Sequence, residues 1–432
     1  MSATESTFSP WGRRQFLAMA AAWGAVPLAL PGCGGSDGSD NRYTLTHLVA
    51  NKPEYKALFT EPAFVNAWGI AIRPAGAGGH FWVGAGGASW QYVGDVQASS
   101  NPSLRKLFQD GLKVVTVAGA DSDTSDKSAG KVTGVVYNGA PIDSALFRVK
   151  GQMAAGQPLD GSARFIFVTD SGHVAGWTEQ ALDKRIVRVD GPTMDMYDGS
   201  ARGEQFFGVA INANTWDRLW LADFGANPQI RTLNAQWQPV PTVGFANPFA
   251  TGTGGKARPG DPVPFNIQML GDKVYVAYAI SRAKEGEPQA FDAGEEDTLD
   301  AAAEAKAKNR PAKGKVAEFA PDGRLLRVLD DQGALNAPWG LAIAPANFGR
   351  FSGMLLVGSF GGAGRISAFD LATGRYVDDL RDAADKPVAV EGMWGLQFGN
   401  GASLGDSNAL YYAAGPKDEV DGVFGAIRAA TP

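Results

Sequence analysis

One short motif recurs along this chain and limits what it can fold into. Trp68-Gly69-Ile70-Ala71-Ile72, Trp339-Gly340-Leu341-Ala342-Ile343 and Trp394-Gly395-Leu396-Gln397-Phe398 share one pattern: an indole, a glycine, then apolar and small residues. Looser copies are Thr133-Gly134-Val135-Val136-Tyr137, Phe207-Gly208-Val209-Ala210-Ile211 and Phe265-Asn266-Ile267-Gln268-Met269. Recurrence at a spacing of some tens of residues points to a solenoid or a propeller, because a unit of that size cannot bury its faces alone.

Each copy is followed by a second run rich in β-branched and aromatic residues. Examples are Phe165-Ile166-Phe167-Val168-Thr169, Val274-Tyr275-Val276-Ala277-Tyr278 and Leu410-Tyr411-Tyr412-Ala413. Runs of strand length bounded by Gly, Asp or Asn read as strands. Third runs such as Arg365-Ile366-Ser367-Ala368-Phe369, and then a turn and another extended piece, complete units of four strands. The expected fold is therefore all-β: a six-bladed β-propeller of four-stranded blades. The sixth unit ends near Ile427 with three strands. Tyr43-Thr44-Leu45-Thr46-His47-Leu48-Val49 alternates apolar and polar residues ahead of the first unit. It is expected to supply the missing outer strand of the last blade and so close the ring, leaving fewer free edges. The glycine of each motif should let inner strands approach one another. The tryptophans should pack between blades rather than line a ligand site.

The N-terminus reads differently. Arg13-Arg14 precedes an apolar run from Phe16 to Leu30, too short for a spanning helix and followed by Leu30-Pro31-Gly32-Cys33. An arginine pair, a short apolar run and small residues make residues 1–32 a twin-arginine export signal. The last four of these residues resemble a lipobox, which makes Cys33 the site of lipid attachment. Cys33 is the one cysteine in the chain, so no internal disulfide forms. Residues 33–42 read as a flexible tether and residues 43–432 as the propeller. The expected location is the periplasm or cell envelope, with the membrane reached through the lipid alone.

Two stretches break the rhythm of the body. Asp121-Ser122-Asp123-Thr124-Ser125-Asp126 lacks the central Gly and terminal Glu of a calcium hand and reads as a solvated loop. Residues 282–313 are charged and Ala-rich, with a short exposed helix possible between Asp297 and Lys308. They read as an excursion from the fourth blade: a flap, a partner surface or a disordered insertion.

Together, Val65-Asn66-Ala67-Trp68-Gly69, Ala222-Asp223-Phe224, Leu335-Asn336-Ala337-Pro338-Trp339-Gly340, Leu356-Val357-Gly358-Ser359-Phe360-Gly361 and Ala414-Gly415-Pro416-Lys417-Asp418-Glu419 resemble an uncharacterised bacterial family of exported NHL-like six-bladed propellers. The resemblance implies fold and export and brings no activity or catalytic residue.

Chemistry is sparse. A net charge of −6 offers no basic face, so no nucleic-acid partner is expected. The three histidines, His47, His80 and His173, are far apart in sequence and form no metalloprotease or haem motif. The better lead is polar residues at one mouth of the channel. Asn66, Asn266, Asn336 and Glu391 are expected just before inner strands, and Asp170 and Asp223 at the ends of second strands. Oxygen donors from several blades can hold Ca²⁺ there; alternatively each satisfies local turn backbone. The expected function is a monomeric, non-catalytic binding or scaffold protein for a small molecule or another protein. The alternatives are a calcium-dependent hydrolase or lactonase at the channel mouth and a quinone-dependent dehydrogenase.

Overall fold

The computed structural model describes residues 41–121, 130–154, 156–182, 185–188 and 192–430. The export signal with Arg13 and Arg14, Cys33, nearly all of the tether and most of the Asp121–Asp126 run lie outside the described residues.

Six antiparallel sheets form the blades of a β-propeller. Their inner strands are Ala67–Ala71, Val132–Tyr137, Phe206–Ile211, Pro262–Leu270, Pro338–Ile343 and Met393–Phe398, one for each copy of the motif. Each inner strand lies against the next, and the sixth lies against the first.

The second strands explain why the sequence reads as continuous apolar runs. Successive side chains on a strand point to opposite faces, and here both faces are covered by neighbouring blades. Leu355 and Val357 enter the wedge shared with blade 4, whereas Leu356 between them enters the wedge shared with blade 6. Trp82 faces blade 2 while Phe81 and Val83 face blade 6. Six such wedges hold the blades together, and a seventh apolar cluster lies on the axis.

The ring is closed as the sequence predicts. Tyr43–Ala50 is the outer strand of blade 6, antiparallel to Val423–Ala429, with Leu45 opposite Ile427. Phe59–Thr60 then adds in parallel to its free edge. The same segment reaches back to blade 5: the Tyr43 hydroxyl donates to the Phe348 carbonyl at 2.8 Å and the Asn41 amide to the Asp379 carbonyl at 2.9 Å.

The motif glycines occupy contacts that no other residue fits. A Cβ on Gly69 would lie 2.8 Å from the Thr133 carbonyl oxygen, one on Gly340 would lie 2.4 Å from that of Trp394, and one on Gly395 would lie 2.4 Å from that of Trp68. Each contact is to the main chain of the next inner strand, which cannot step aside. Blade 4 carries Asn266 in this place. Its Nδ2 donates to the Trp339 carbonyl at 2.7 Å and its Oδ1 accepts from the Ile267 amide at 2.8 Å, so a hydrogen bond does the joining there.

Residues 282–313 are ordered secondary structure, not a disordered insertion. The second strand of blade 4 runs on to Lys284, turns, and pairs with a strand Glu287–Glu296. A helix Ala301–Lys306 follows, capped by the Asp300 carboxylate accepting from the Ala303 amide at 2.8 Å. Two further strands, Arg148–Ala154 and Gln157–Ser162, form a separate hairpin between the first and second strands of blade 2 and were not foreseen in the sequence.

Gly395→Val should lower stability by about 3 kcal/mol, because overpacking against rigid backbone is not relieved by a rotamer change. Gly111→Val, at a position with open space around it, should stay within about 0.5 kcal/mol. Urea unfolding of the two variants beside the parent chain checks this.

Candidate functional site: a channel closed at one end

The first residue of the motif decides the character of the axis. Trp68, Phe207, Phe265, Trp339 and Trp394, from blades 1, 3, 4, 5 and 6, meet one another there. They do not enter the wedges between blades, which corrects the expectation for the tryptophans. Trp68 and Trp394 stack with centroids 3.9 Å apart, and Phe207 lies 5.4 Å from Trp68. Blade 2 contributes Thr133 instead, whose hydroxyl donates to the Phe206 carbonyl at 2.6 Å. The indole N–H of Trp339 donates to the Phe207 carbonyl at 2.9 Å and that of Trp394 to Asn66 Oδ1 at 3.0 Å, so the plug is pinned as well as packed.

One side of this plug is covered by the excursion from blade 4. Phe291 packs onto the axial cluster, and the Gly294 amide donates to the Phe224 carbonyl at 3.0 Å. Beyond it, the Asn336 side chain holds Leu299 by both main-chain groups, at 3.2 and 2.8 Å. The buried Glu304 carboxylate accepts from the Ala363 amide at 3.1 Å and faces Arg365 at 3.4 Å. Burial raises its pKa, with those two partners pulling the other way. The excursion is thus a lid latched across blades 3, 4 and 5.

Most of the polar residues singled out in the sequence lie on the lid side of the plug, each with its own partners. Asn66, at a left-handed φ of 48°, donates to Glu419 at 3.1 Å besides accepting from Trp394. Asn336 serves the lid. Asp170 accepts from the Lys131 amide at 2.5 Å. Asp223 is fully buried, accepts from the Gln205 and Gly225 amides at 2.9 Å each, and pairs with Arg231 at 2.7 Å. Burial pushes its carboxyl up to about 6 against the pull of Arg231. Glu391 is exposed. Asn266 stands within its strand rather than before it, at the glycine position. Among the described residues no three His, Cys, Asp or Glu side chains come close enough together to hold a metal ion.

The other side of the plug is open among the described residues. A cavity of about 210 Å³ runs along the axis from the free mouth to Trp339 and Asn266, bounded by the inner strands. Its wall has an unusual origin. The side chains of Ile70, Val135, Val209, Ile267 and Leu396 sit in the wedges between blades. An inner strand is also a sheet edge, with alternate N–H and C=O groups turned away from its partner strand. Main chain therefore forms much of the wall. Side-chain polarity comes from Gln268 and Gln397 near the mouth, and Tyr137 is the one ionisable side chain in the lining. Trp216 stands at the rim, half-buried, with a left-handed φ of 56°. It rests on Gly139, where a Cβ would come 2.6 Å from the indole. A bulky residue in that conformation is held by its surroundings, here by its amide donating to the Asn212 carbonyl at 2.7 Å. Sequence reasoning passed over Trp216 because it lies outside the repeated motif.

No family model matches the chain. It is 26% identical over 388 residues to an uncharacterized protein of Acanthamoeba polyphaga mimivirus, covering 89% of this chain and 80% of that one. A second uncharacterized protein of the same virus is 30% identical over 220 residues, about half of each chain. These relatives belong to a giant virus, which corrects the expectation of a bacterial family. Among solved structures, the chain resembles a COPII outer-coat vertex on membranes (TM-score 0.39, 9% identity, 80% of this chain and 66% of that chain). It also resembles the Dos1 propeller (TM-score 0.35, 10% identity, 86% and 69%).

Asn66→Ala should destabilise the fold by about 2–4 kcal/mol. It orphans the Trp394 indole N–H in the plug and puts a residue less tolerant than Asn at a left-handed φ. Denaturant midpoints, with Asn66→Gly as the variant that keeps the backbone relaxed, check the two parts separately.

Proposed function

We propose that this chain is a non-catalytic binding propeller whose site is the open half of its channel. The observation that carries this reading is the make-up of the cavity. It offers hydrogen-bonding groups from several inner strands, yet among the described residues its lining holds no carboxylate, histidine, cysteine, serine or lysine, and Tyr137 is its one ionisable side chain. General acid–base and nucleophilic catalysis need such groups within reach of the bound molecule. A concave site with an aromatic floor and a few convergent polar groups suits recognition of a small molecule.

The test is ligand-observed NMR on the full chain with fractionated small-molecule extracts. A component should bind to the parent and not to Gln268→Trp, a variant that fills the cavity while its melting temperature stays unchanged. Equal binding by the filled variant would overturn the site. Conversion of the bound component into a product would overturn the non-catalytic role.

We also propose that the segment ahead of the propeller exports the chain and anchors it at a cell envelope, as the Arg13-Arg14 pair, the apolar run and Cys33 support. In bacteria that possess twin-arginine export, the parent should fractionate with membranes and Cys33→Ser with the soluble periplasm. Lysine at both positions 13 and 14 should hold the chain in the cytoplasm. Unchanged fractionation of both variants would refute the assignment.

A further inference from the structure

We propose that the half-channel takes one uncharged sugar ring, its C–H face against tryptophan and its hydroxyls against main-chain amides; this rests on the binding reading above.

Size comes first. An apolar cavity of about 150 Å³ holds benzene, so about 210 Å³ has room for a six-membered ring with substituents, with anything attached to it directed to the open mouth. Charge comes second. The lining offers no cation or carboxylate to pair with an ionic ligand, and burying an unpaired charge is strongly disfavoured. The ligand is therefore neutral.

The wall then selects among neutral rings. Main-chain N–H and C=O groups from several blades face the axis, and a bound ring would displace water from them. Each group left without a partner would weaken binding. A flat apolar ring leaves them all unsatisfied. A sugar carries hydroxyls around its whole perimeter, and each hydroxyl both donates and accepts. The side-chain amides add to this. Gln397 uses its Nε2 on the Phe398 carbonyl at 2.9 Å, which leaves its oxygen as an acceptor. The Gln268 side chain makes no hydrogen bond to protein among the described residues.

The two tryptophans supply the remaining surface. Trp339 at the floor has its N–H committed to Phe207, so what it offers a ligand is ring carbon. Trp216 at the rim is held at a left-handed φ, packed over Gly139 and against the wedge between blades 2 and 3, with part of its ring left exposed. Rigid indoles give large contact area at low entropy loss.

The experiment is a saturation-transfer NMR titration of the full chain. The probes are the methyl glycosides of glucose, galactose and mannose, with N-acetylglucosamine, glucuronate, uracil and p-cresol. At least one neutral sugar should bind saturably. Glucuronate should bind at least about tenfold more weakly than its neutral parent, the size of one lost favourable contact. Trp216→Ala should weaken sugar binding about tenfold, and Trp216→Phe should restore part of it. Gln268→Trp should abolish it. Preference for uracil or p-cresol over every sugar would overturn the sugar class and leave the half-channel as a binding site. Sugar binding that survives Gln268→Trp would overturn it too, by placing the sugar elsewhere. No binding of any probe would refute the class, while the extract experiment on the same two chains decides separately whether the site binds anything.

Discussion

Everything in this molecule depends on how closely six strands come together around one line. Their spacing is set where a glycine Cα meets the carbonyl of the neighbouring strand, with no space for even a methyl group. Because inner strands touch there, the sheets behind them fan outward as wedges, and wedges filled by two-sided strands make a continuous core. The same closeness forces the residue before each glycine onto the axis. With large rings at five of these places the axis fills, and the propeller has two unequal mouths instead of a through channel. Blades 2 and 4 depart from the pattern in complementary ways. Thr133 gives up a ring and gains a cross-blade hydrogen bond, and Asn266 replaces a glycine and bonds to the next strand.

The inequality of the mouths organises the rest. On one side the plug, the lid and a set of saturated polar side chains form a sealed surface, with Asp223, Asn336 and Glu304 each holding backbone in place. On the other side no described residue covers the axis, and the ends of the inner strands frame a small cavity. Polar residue types therefore gather at the mouth where they are structural. The mouth with space available is lined chiefly by groups that every residue possesses.

That contrast shows what the sequence could convey. The motif, the second-strand runs and the alternation of residues 43 to 49 sufficed for blade number and for closure by the first strand, because each reflects a periodic burial requirement. Three things were hidden. The direction taken by Trp68, Trp339 and Trp394 depends on ring radius, which no local pattern encodes. The lid is polar on most of its surface and is held by a few specific bonds, at Asn336, Glu304 and Gly294, between residues distant in sequence. Main chain forms much of the cavity wall, so Ile70, Val135 and Val209 read in the sequence as ordinary core. Asn66 and Asp223 were noticed for the right reason, an unusual polar residue beside an inner strand, but their partners turn out to be an indole and an arginine of the chain itself.

The clasp of the last blade bears on how the chain is made. Tyr43–Ala50 leaves the ribosome early, yet its pairing partner emerges at the far end of translation; His47 and the Tyr412 hydroxyl it contacts at 2.6 Å are 365 residues apart. Blades 1 to 5 can assemble in order as they appear, while the edge of this strand that faces Val423–Ala429 waits for its partner. An open edge of that kind is an invitation to associate with another nascent copy. Its alternate polar residues, Thr44 and Thr46, make it a poor partner for a stranger until the final sheet is ready to receive it.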